Sequence, residues 1–309
     1  MSRKGKLSTS WHILNGDQRL AHYVFPVYYI LNWLNNRNRE PKLGGKLPIR
    51  RFRADQLNSL LDYSQPISSP SRVVTDMFLA SLPWKEIAAG VGKLNIADLG
   101  CGQGVYAELF ERTCGSLLNS YSGYDHKKNL SWDKISDKND RLSFLETASE
   151  DMASQLSTDI NVIFSCSALE HFKADLGLFS DIRKFCDATN KSILQIHCVP
   201  AWPCLQLYGV HGIRQYTPRT IGLIWEKFQS DSNGMLYELS GRQCNRLHRK
   251  YITWPIRLRL GDQRYRKRIQ YSNELLESIE EDMKGYDNEP GFYALVMHTK
   301  PGKLLSILK

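Results

Sequence analysis

Residues 94–110, LNIADLGCGQGVYAELF, constrain the fold more than any other stretch of the sequence. The apolar run from Leu94 to Leu99 predicts a buried parallel strand, which ends at three closely spaced glycines. Helix-compatible residues follow from Tyr106 to Phe110. A strand, a glycine turn and a helix in this order allow a backbone to approach a nucleotide-like ligand closely.

Asp98, two residues before the first glycine, suits a cationic ligand better than a pyrophosphate. S-adenosyl-L-methionine (SAM) carries an ammonium and a sulfonium and no phosphate. DLGCGQG closely resembles motif I of the class I SAM-dependent methyltransferases, and the alternatives are another α/β nucleotide site or a structural turn. The resemblance implies that SAM is held by Asp98, Gly100, Cys101, Gly102 and Gly104.

A second predicted strand, Tyr121 to Tyr124, ends in Asp125. An acid at this distance after the glycines can accept hydrogen bonds from ribose hydroxyls, and the alternative is an exposed loop carboxylate. A third strand, Leu142 to Leu145, leads into a segment that contacts adenine in the family. The resemblance assigns that contact here to Glu150 or Asp151.

A fourth predicted strand, Asn161 to Phe164, leads into SCSALEHF. This segment resembles the one after motif II in many small-molecule methyltransferases, which places Cys166 beside the cofactor. Together these matches cover residues 95–172, and the sequence pattern of this stretch is similar to that of the type 11 methyltransferases. They imply an α/β, Rossmann-like sheet of seven strands with helices on both faces.

The remaining predicted strands are Ser192 to His197, Met235 to Leu239 and Phe292 to His298. Helices are expected over 72–82, 175–187 and 273–283, and Thr217 with Pro218 is typical of a helix start. We therefore expect residues 1–90 to form a basic N-terminal helical extension. Residues 91–309 then form the methyltransferase domain, with a basic insertion at about 241–290 before the last strand.

The net charge of +9 is unevenly distributed. Residues 1–53 contain 11 Lys or Arg and 2 acids, and residues 242–268 contain 10 Lys or Arg and one acid. Such basic segments indicate an anionic partner, namely nucleic acid, an acidic glycan or a membrane surface, unless they are simply solvated. The seven cysteines include no CxxC pair, which favours a reducing cytoplasm over a disulfide or zinc framework.

The apolar segment His22 to Leu34 predicts a helix packed on the catalytic domain as a cap or dimer element. Because Lys and Arg flank it, a position on a membrane interface, peripheral at the inner membrane, is the alternative. Residues 36–53 are expected to form a loop, since they contain two prolines and two glycines. No apolar stretch of the sequence approaches the length of a membrane span.

Transfer of a methyl group to a hydroxyl requires removal of the hydroxyl proton, and histidine is the usual base near neutral pH. His171 is the first candidate, because its LEHF context resembles the acceptor site of the family. His211 and His197 are the next candidates, and a structural role is the alternative for each. Cys244 and His248 are too few to bind a metal, so no metal is expected.

Polar and aromatic residues after the fifth strand are the candidate acceptor-binding groups: Trp202, Tyr208, Arg214, Tyr216 and Arg219. Arginine suits carboxylates and phosphates, and aromatic rings stack on sugars; the alternative is a loop that fixes itself to the sheet. This region is similar to methyltransferases of bacterial surface-polysaccharide synthesis. The resemblance implies O-methylation of a sugar, acidic or lipid-linked, with RNA methylation and non-catalytic SAM binding as alternatives.

Overall fold

The computed structural model describes residues 7–18, 21–37, 39–40, 47–54, 57–64, 67–285, 289–303 and 305–309. Its strands are β1 Ile49–Arg51, β2 Leu94–Leu99, β3 Leu118–Asp125, β4 Leu142–Glu146, β5 Val162–Cys166, β6 Ile193–Pro200, β7 Ser232–Leu239 and β8 Phe292–Thr299. Its first helices are α1 Phe25–Arg37, α2 Leu57–Leu61, α3 Pro70–Ser81, α4 Trp84–Val91, α5 Val105–Cys114 and α6 Ser131–Ser136. The later ones are α7 Asp175–Thr189, α8 Cys204–Tyr208, α9 Pro218–Trp225, α10 Arg242–His248, α11 Trp254–Arg257 and α12 Arg268–Lys284.

The eight strands found in the described residues form one mixed sheet in the order β1-β7-β8-β6-β5-β2-β3-β4. Strand β8 runs antiparallel to β6 and β7, and the other pairs are parallel. The order reverses between β2 and β5, which sit side by side although β3 and β4 separate them in sequence. Ligands of open α/β sheets bind at the carboxyl ends of strands at such a reversal.

The expected count of seven strands is wrong, because β1 adds an eighth at the sheet edge. It lies inside the stretch 36–53 that the sequence predicts to be a loop, and it pairs with β7 from Ile49 opposite Leu236 to Arg51 opposite Glu238. Without β1, the outer edge of β7 would leave a row of backbone groups unpaired. A three-residue strand after Pro48 is too short to show in the alternation of apolar residues.

Apolar side chains cover both faces of the sheet. One face packs against α3, α4, α5 and α12 through a core that includes Phe78, Phe110 and Phe164. The other packs against α7 and α9 through a core that includes Phe179 and Trp225. The expected α/β architecture with helices on both faces is therefore present.

The segment between β7 and β8 is helical, with α10, a π-helical turn over Arg249–Thr253, α11 and α12. Helix α12 contains the predicted helix 273–283. Helix α1 packs on the segment after β6, where the Tyr28 hydroxyl donates a 2.7 Å hydrogen bond to the His211 carbonyl. Among the described residues, none of the helices combines the length and the hydropathy that crossing a bilayer requires.

Candidate active site

The glycine turn after β2 is built so that only glycine fits its first position. Gly100 has φ +81°, and a Cβ added there would lie 2.4 Å from the Ala168 Cβ. Its N–H donates a 2.7 Å hydrogen bond to the Tyr124 carbonyl, which ties the turn to β3. Gly104, at φ +76°, precedes α5 and lies against the ring of Phe144. The turn is thus drawn close to the neighbouring strands.

Asp98 at the end of β2 is a buried carboxylate with one free oxygen. Its Oδ2 accepts a hydrogen bond from the Tyr121 hydroxyl, whereas Oδ1 has no hydrogen-bond partner in the described part of the chain. Burial raises the pKa of Asp98 to about 7, although Tyr121 and Arg72 act in the opposite direction. A cation placed beside Oδ1 would lower the free energy of the ionised form.

Asp125 lies at the end of β3, next to the glycine turn, as the sequence predicts. Its Oδ2 accepts a 2.8 Å hydrogen bond from the Gly102 N–H, and its Oδ1 lies 2.8 Å from His126 Nδ1. No atom of the described residues lies within 4 Å of a Cβ added at Gly102, so they leave the turn open on this side. Asp98, the glycines and Asp125 therefore meet at the carboxyl ends of β2 and β3.

The two cysteines of the predicted cofactor site are both buried. The sulfur of Cys166 lies 2.9 Å from the Tyr106 hydroxyl and 3.6 Å from Arg72 Nη1. Cys101 lies within the glycine turn, and burial is the main cause of its raised pKa. Glu150 and Asp151 are exposed in the turn after β4, and their contact with adenine stays a prediction.

A cleft of about 520 Å³ opens beside the end of β5. Ser167, the residue after Cys166, lines it together with Arg72 and Tyr208, and further on with Ile67, Ser68, Ser69, Arg264, Tyr265, Arg268 and Phe292. Three arginines face the same space, which suits an anionic ligand. Of these residues only Tyr208 was singled out from the sequence. The basic segment 242–268 is the available signal for Arg264, Tyr265 and Arg268.

Four polar side chains from three distant segments gather beside this cleft. Asp17 bridges two histidines, with its oxygens 2.8 Å from His171 Nδ1 and 2.9 Å from His211 Nδ1. The histidine rings lie edge to face with their centroids 4.9 Å apart. Glu170 lies buried behind them, and the ring of Tyr208 packs on His211 at 5.4 Å.

The structure brings His171 and His211 together but corrects the third candidate base. His197 is buried in the middle of β6, where its Nδ1 lies 2.8 Å from Ser165 Oγ and its ring packs against Phe179. Burial lowers its pKa to about 3. It faces the core around α7, away from Cys166 and the cleft, so it cannot act on an acceptor.

Two of the predicted acceptor-binding residues are also corrected, because Arg214 and Tyr216 are completely buried. The Arg214 guanidinium donates to the carbonyls of Leu169 and Phe172, and the Tyr216 hydroxyl donates to Asp175 Oδ2. These bonds fix the loop to the sheet, which was the alternative interpretation of this segment.

Trp202 and Arg219 lie outside the cleft. The Arg39 guanidinium stacks on the Trp202 ring at 3.2 Å, and Arg219 borders a separate surface depression with Trp11 and Arg37. The pair dismissed as metal ligands lies in α10, where the Nδ1 of buried His248 is 2.9 Å from Thr253 Oγ1 and the Cys244 thiol is buried.

No protein-family model matches the sequence, and no curated protein matches it. Coclaurine N-methyltransferase, bound to N-methylheliamine and S-adenosylhomocysteine, is similar over 92% of this chain and 89% of its own, with 13% identity and a TM-score of 0.44. The 4+2 cyclase SpnF is similar over 94% of this chain and 98% of its own, with 12% identity and a TM-score of 0.44.

Phosphoethanolamine N-methyltransferase 2 of Haemonchus contortus, in complex with SAM, is similar over 80% of this chain and 60% of its own. The identity is 13% and the TM-score 0.43. With TM-scores below 0.5, the three likenesses by themselves assign neither an activity nor a ligand to this chain.

Proposed function

We propose that this chain is a SAM-dependent O-methyltransferase that acts on an anionic acceptor, a sugar hydroxyl of a surface-polysaccharide precursor. The observation that carries the proposal is the arrangement at the carboxyl ends of β2, β3 and β5. There a buried acid, a glycine turn and a second acid lie next to a cleft lined by arginines. The acids and the glycine turn form one half of this site, which suits a cationic methyl donor. The cleft forms the other half, which suits an anionic acceptor.

The residues of the first half fit SAM. Asp98 has a buried oxygen without a partner and would pair with the ammonium group, while Asp125, held by the Gly102 N–H, would accept from the ribose hydroxyls. The tight approach of Gly100 to Ala168 keeps side chains out of the turn. Bound SAM would supply an electrophilic methyl group on its sulfonium.

The second half fits an anionic, sugar-like acceptor. Arg72 and Arg268 supply positive charge from two separate segments, whereas Arg264 is paired with Asp262. Tyr208 and Tyr265 add aromatic surface on which a sugar ring can stack. Arg72 also approaches Cys166 at the end of β5, so it joins the two halves. These contacts would orient the acceptor toward the methyl group.

The paired histidines are the candidate destination of the hydroxyl proton. Hydrogen bonding to Asp17 and the charge of Glu170 raise the pKa of His171, although burial, the largest influence, lowers it. The side chains of His171 and His211 remain 32% and 38% exposed, and Tyr208, whose ring packs on His211, lines the cleft. Proton removal from a sugar hydroxyl would occur here.

The experiment is calorimetric titration with SAM, followed by an assay of S-adenosylhomocysteine release. The acceptor panel contains neutral nucleotide-free sugars, acidic sugars, lipid-linked sugar phosphates and RNA. We expect SAM to bind and release to require an acidic or phosphorylated sugar. Release of S-adenosylhomocysteine with RNA alone would mean that the acceptor is RNA and not a sugar. An absence of SAM binding would overturn the whole proposal.

Asp98→Asn is the variant that tests the cofactor site, and Glu226→Gln is its matched control. Both remove one carboxylate charge, but Glu226 is exposed directly after α9, and no hydrogen bond or ion pair among the described residues joins it to the site. We expect Asp98→Asn to weaken SAM binding and turnover together. Equal behaviour of the two variants would contradict the assignment of the cofactor cradle.

A further inference from the structure

Glu170 is a buried carboxylate that none of the described residues hydrogen-bonds. Its side chain is 1% exposed, and neither of its oxygens has a hydrogen-bond partner in the described ranges of the chain. The Nε2 atoms of His171 and His211 lie 3.8 and 3.9 Å from Oε1. These distances exceed those of a hydrogen bond, so the carboxylate faces two nitrogens across a gap.

Asp17 determines which nitrogens face this gap. Its carboxylate accepts from the Nδ1 atoms of both histidines and from the Gly212 N–H at 2.9 Å. Each Nδ1 lies within hydrogen-bond distance of a carboxylate oxygen of Asp17, and a carboxylate oxygen accepts hydrogen bonds. Both Nδ1 atoms therefore carry hydrogen, and the Nε2 atoms direct their lone pairs toward Glu170.

We propose that His171 Nε2, His211 Nε2 and Glu170 Oε1 bind a divalent transition metal, with Asp17 as the outer carboxylate. Two metal–ligand bonds of about 2.0–2.2 Å can span separations of 3.8 and 3.9 Å. Two imidazoles and one carboxylate favour zinc or a similar ion over magnesium. A carboxylate that holds the Nδ1–H of a ligating histidine is the usual support of such a site.

Three protein ligands leave a coordination position open. If the proposed function is correct, on which this step rests, the acceptor hydroxyl occupies that position. The metal lowers the pKa of the hydroxyl, and the proton leaves to solvent before the oxygen attacks the methyl group. In the metal-bound protein the histidines ligate the ion and solvent takes the proton, whereas without the ion the imidazoles remain its destination.

The test is titration of chelator-treated, full-length protein with Zn²⁺, Co²⁺ and Mg²⁺. We expect one Zn²⁺ per chain, a visible Co²⁺ spectrum of low coordination number, and no comparable binding of Mg²⁺. Glu170→Gln should weaken Zn²⁺ binding at least 100-fold, and Asp17→Asn 10- to 100-fold. Glu226→Gln is the matched control and should bind Zn²⁺ as the wild type does.

SAM binding of each variant, measured in parallel, shows that the fold is retained. No stoichiometric Zn²⁺ binding, or binding that Glu170→Gln leaves unchanged, would overturn the metal site. Full turnover after metal removal would keep the proposed function and reject the metal's role in it. Metal binding without any methyl transfer would reject the proposed function and retain the site.

A separate observation concerns residues 254–269, which expose large apolar side chains to an unusual degree. Six of them are between 53% and 80% exposed: Trp254, Ile256, Leu258, Leu260, Tyr265 and Ile269. Five exposed cations alternate with them: Arg257, Arg259, Arg266, Lys267 and Arg268. The segment's single acid, Asp262, is paired with Arg264 at 2.7 Å.

We infer that this surface docks on an anionic lipid bilayer. Cations attract anionic headgroups, and aliphatic and tryptophan side chains gain free energy by entering the acyl boundary. RNA would use the aromatic rings and the cations but would leave Ile256, Leu258 and Leu260 in water. The surface continues into the cleft through Tyr265 and Arg268, so an acceptor attached to a lipid could enter from the membrane.

Co-sedimentation with vesicles of phosphatidylcholine, with and without 30% phosphatidylglycerol, tests this surface. We expect binding only to the anionic vesicles and at least a tenfold loss in the double variant Leu258→Ser, Leu260→Ser. The control is Ile30→Ser on α1, whose side chain is 54% exposed in the other membrane candidate. Loss of binding in Ile30→Ser alone, or RNA binding with no vesicle binding, would overturn the inference.

Discussion

The two halves of the proposed site, a cofactor half and an acceptor half, are built in different ways. The cofactor half comes from consecutive elements, since Asp98, the glycine turn and Asp125 lie within 28 residues of sequence and on adjacent strands. The acceptor half gathers Asp17, Arg72, His171, His211 and Arg268 from across the chain. Local sequence can encode the first half, whereas the second depends on how distant segments pack.

The two halves also differ in what holds their side chains. The glycine turn is constrained by backbone hydrogen bonds and by the close approach of Gly100 to Ala168. The histidine cluster is constrained by side-chain contacts to Asp17, which itself is 40% exposed. Single substitutions should therefore disturb the cofactor half through the backbone and the acceptor half through charge.

The largest effect is expected for Gly100→Ala. The added Cβ would lie 2.4 Å from Ala168, at φ +81°, so the turn must move away from β5. We expect SAM affinity to fall more than 100-fold, measured by calorimetry, together with a lower melting temperature.

Gly102→Ala is the matched comparison for that turn. Gly102 has φ +54°, and in the part of the chain that the structure describes no atom lies within 4 Å of the added Cβ. The cost is therefore the left-handed strain alone, about 1–2 kcal/mol. We expect at most a tenfold loss of SAM affinity. Equal losses in the two variants would mean that contact with Ala168 does not shape the cradle.

A pH dependence should follow from Asp98. In the unliganded site burial raises its pKa to about 7, and only the ionised form attracts a cation. SAM affinity should therefore rise with pH up to about 7 and then level off, with binding at pH 6 roughly tenfold weaker than at pH 8. Calorimetry across this range should show weak, pH-independent binding in Asp98→Asn. A flat profile in the wild type would contradict the role of Asp98.

Sequence patterns predicted the regular elements well where a local rule applies. Thr217 was expected to begin a helix with Pro218, and it does so in a capping box with Thr220. The prediction that His197 is a candidate base is wrong because β6 continues three residues beyond the predicted strand, to Pro200. Successive side chains of a strand point to opposite faces of the sheet. The face on which the His197 side chain lies therefore depends on its position in the alternation, and it no longer lies at the end of the strand where ligands bind.

Asp17 and Glu170 could not be found from sequence spacing. Asp17 is separated from His211 by 194 positions, and only the packing of residues 7–18 beside the 3₁₀ turn Leu169–His171 brings them together. Glu170 precedes the predicted base, but no local pattern tells a buried carboxylate from an exposed one. Strand β1, like the position of Asp17, depends on a contact with a segment that is distant in sequence, because its partner is β7. The sequence around β1 therefore does not indicate it.

A smaller effect is expected for Arg268→Gln. Arg268 lines the cleft, and Arg266, two residues earlier, does not. Because the guanidinium is exposed and screened, we expect a three- to tenfold rise in KM for a water-soluble anionic acceptor, with SAM affinity unchanged. Steady-state kinetics with Arg266→Gln as the control should show no comparable rise. An equal rise in KM in both variants would mean that the overall surface charge, and not the position of Arg268 in the cleft, causes the change.

The smallest effect on turnover is expected for His197→Gln. His197 is buried against Ser165 and Phe179, so its removal should change kcat less than twofold, while His171→Ala should abolish turnover. Its pKa of about 3 in the fold lies below the ordinary 6.5, because burial disfavours the charged ring. The unfolded chain therefore takes up a proton first as the pH falls through 6.5, and stability is lost toward pH 3.

Chemical denaturation at pH 6 and pH 5 separates this structural role from a catalytic one. His197 should account for about 1 kcal/mol of the free energy of unfolding that the wild type loses between these pH values. His197→Gln should lack that increment, whereas a variant at exposed His126 should retain it. If His197→Gln instead lost turnover with unchanged acid stability, its ring would have to reach the cleft, and the packing of β6 described above would be wrong.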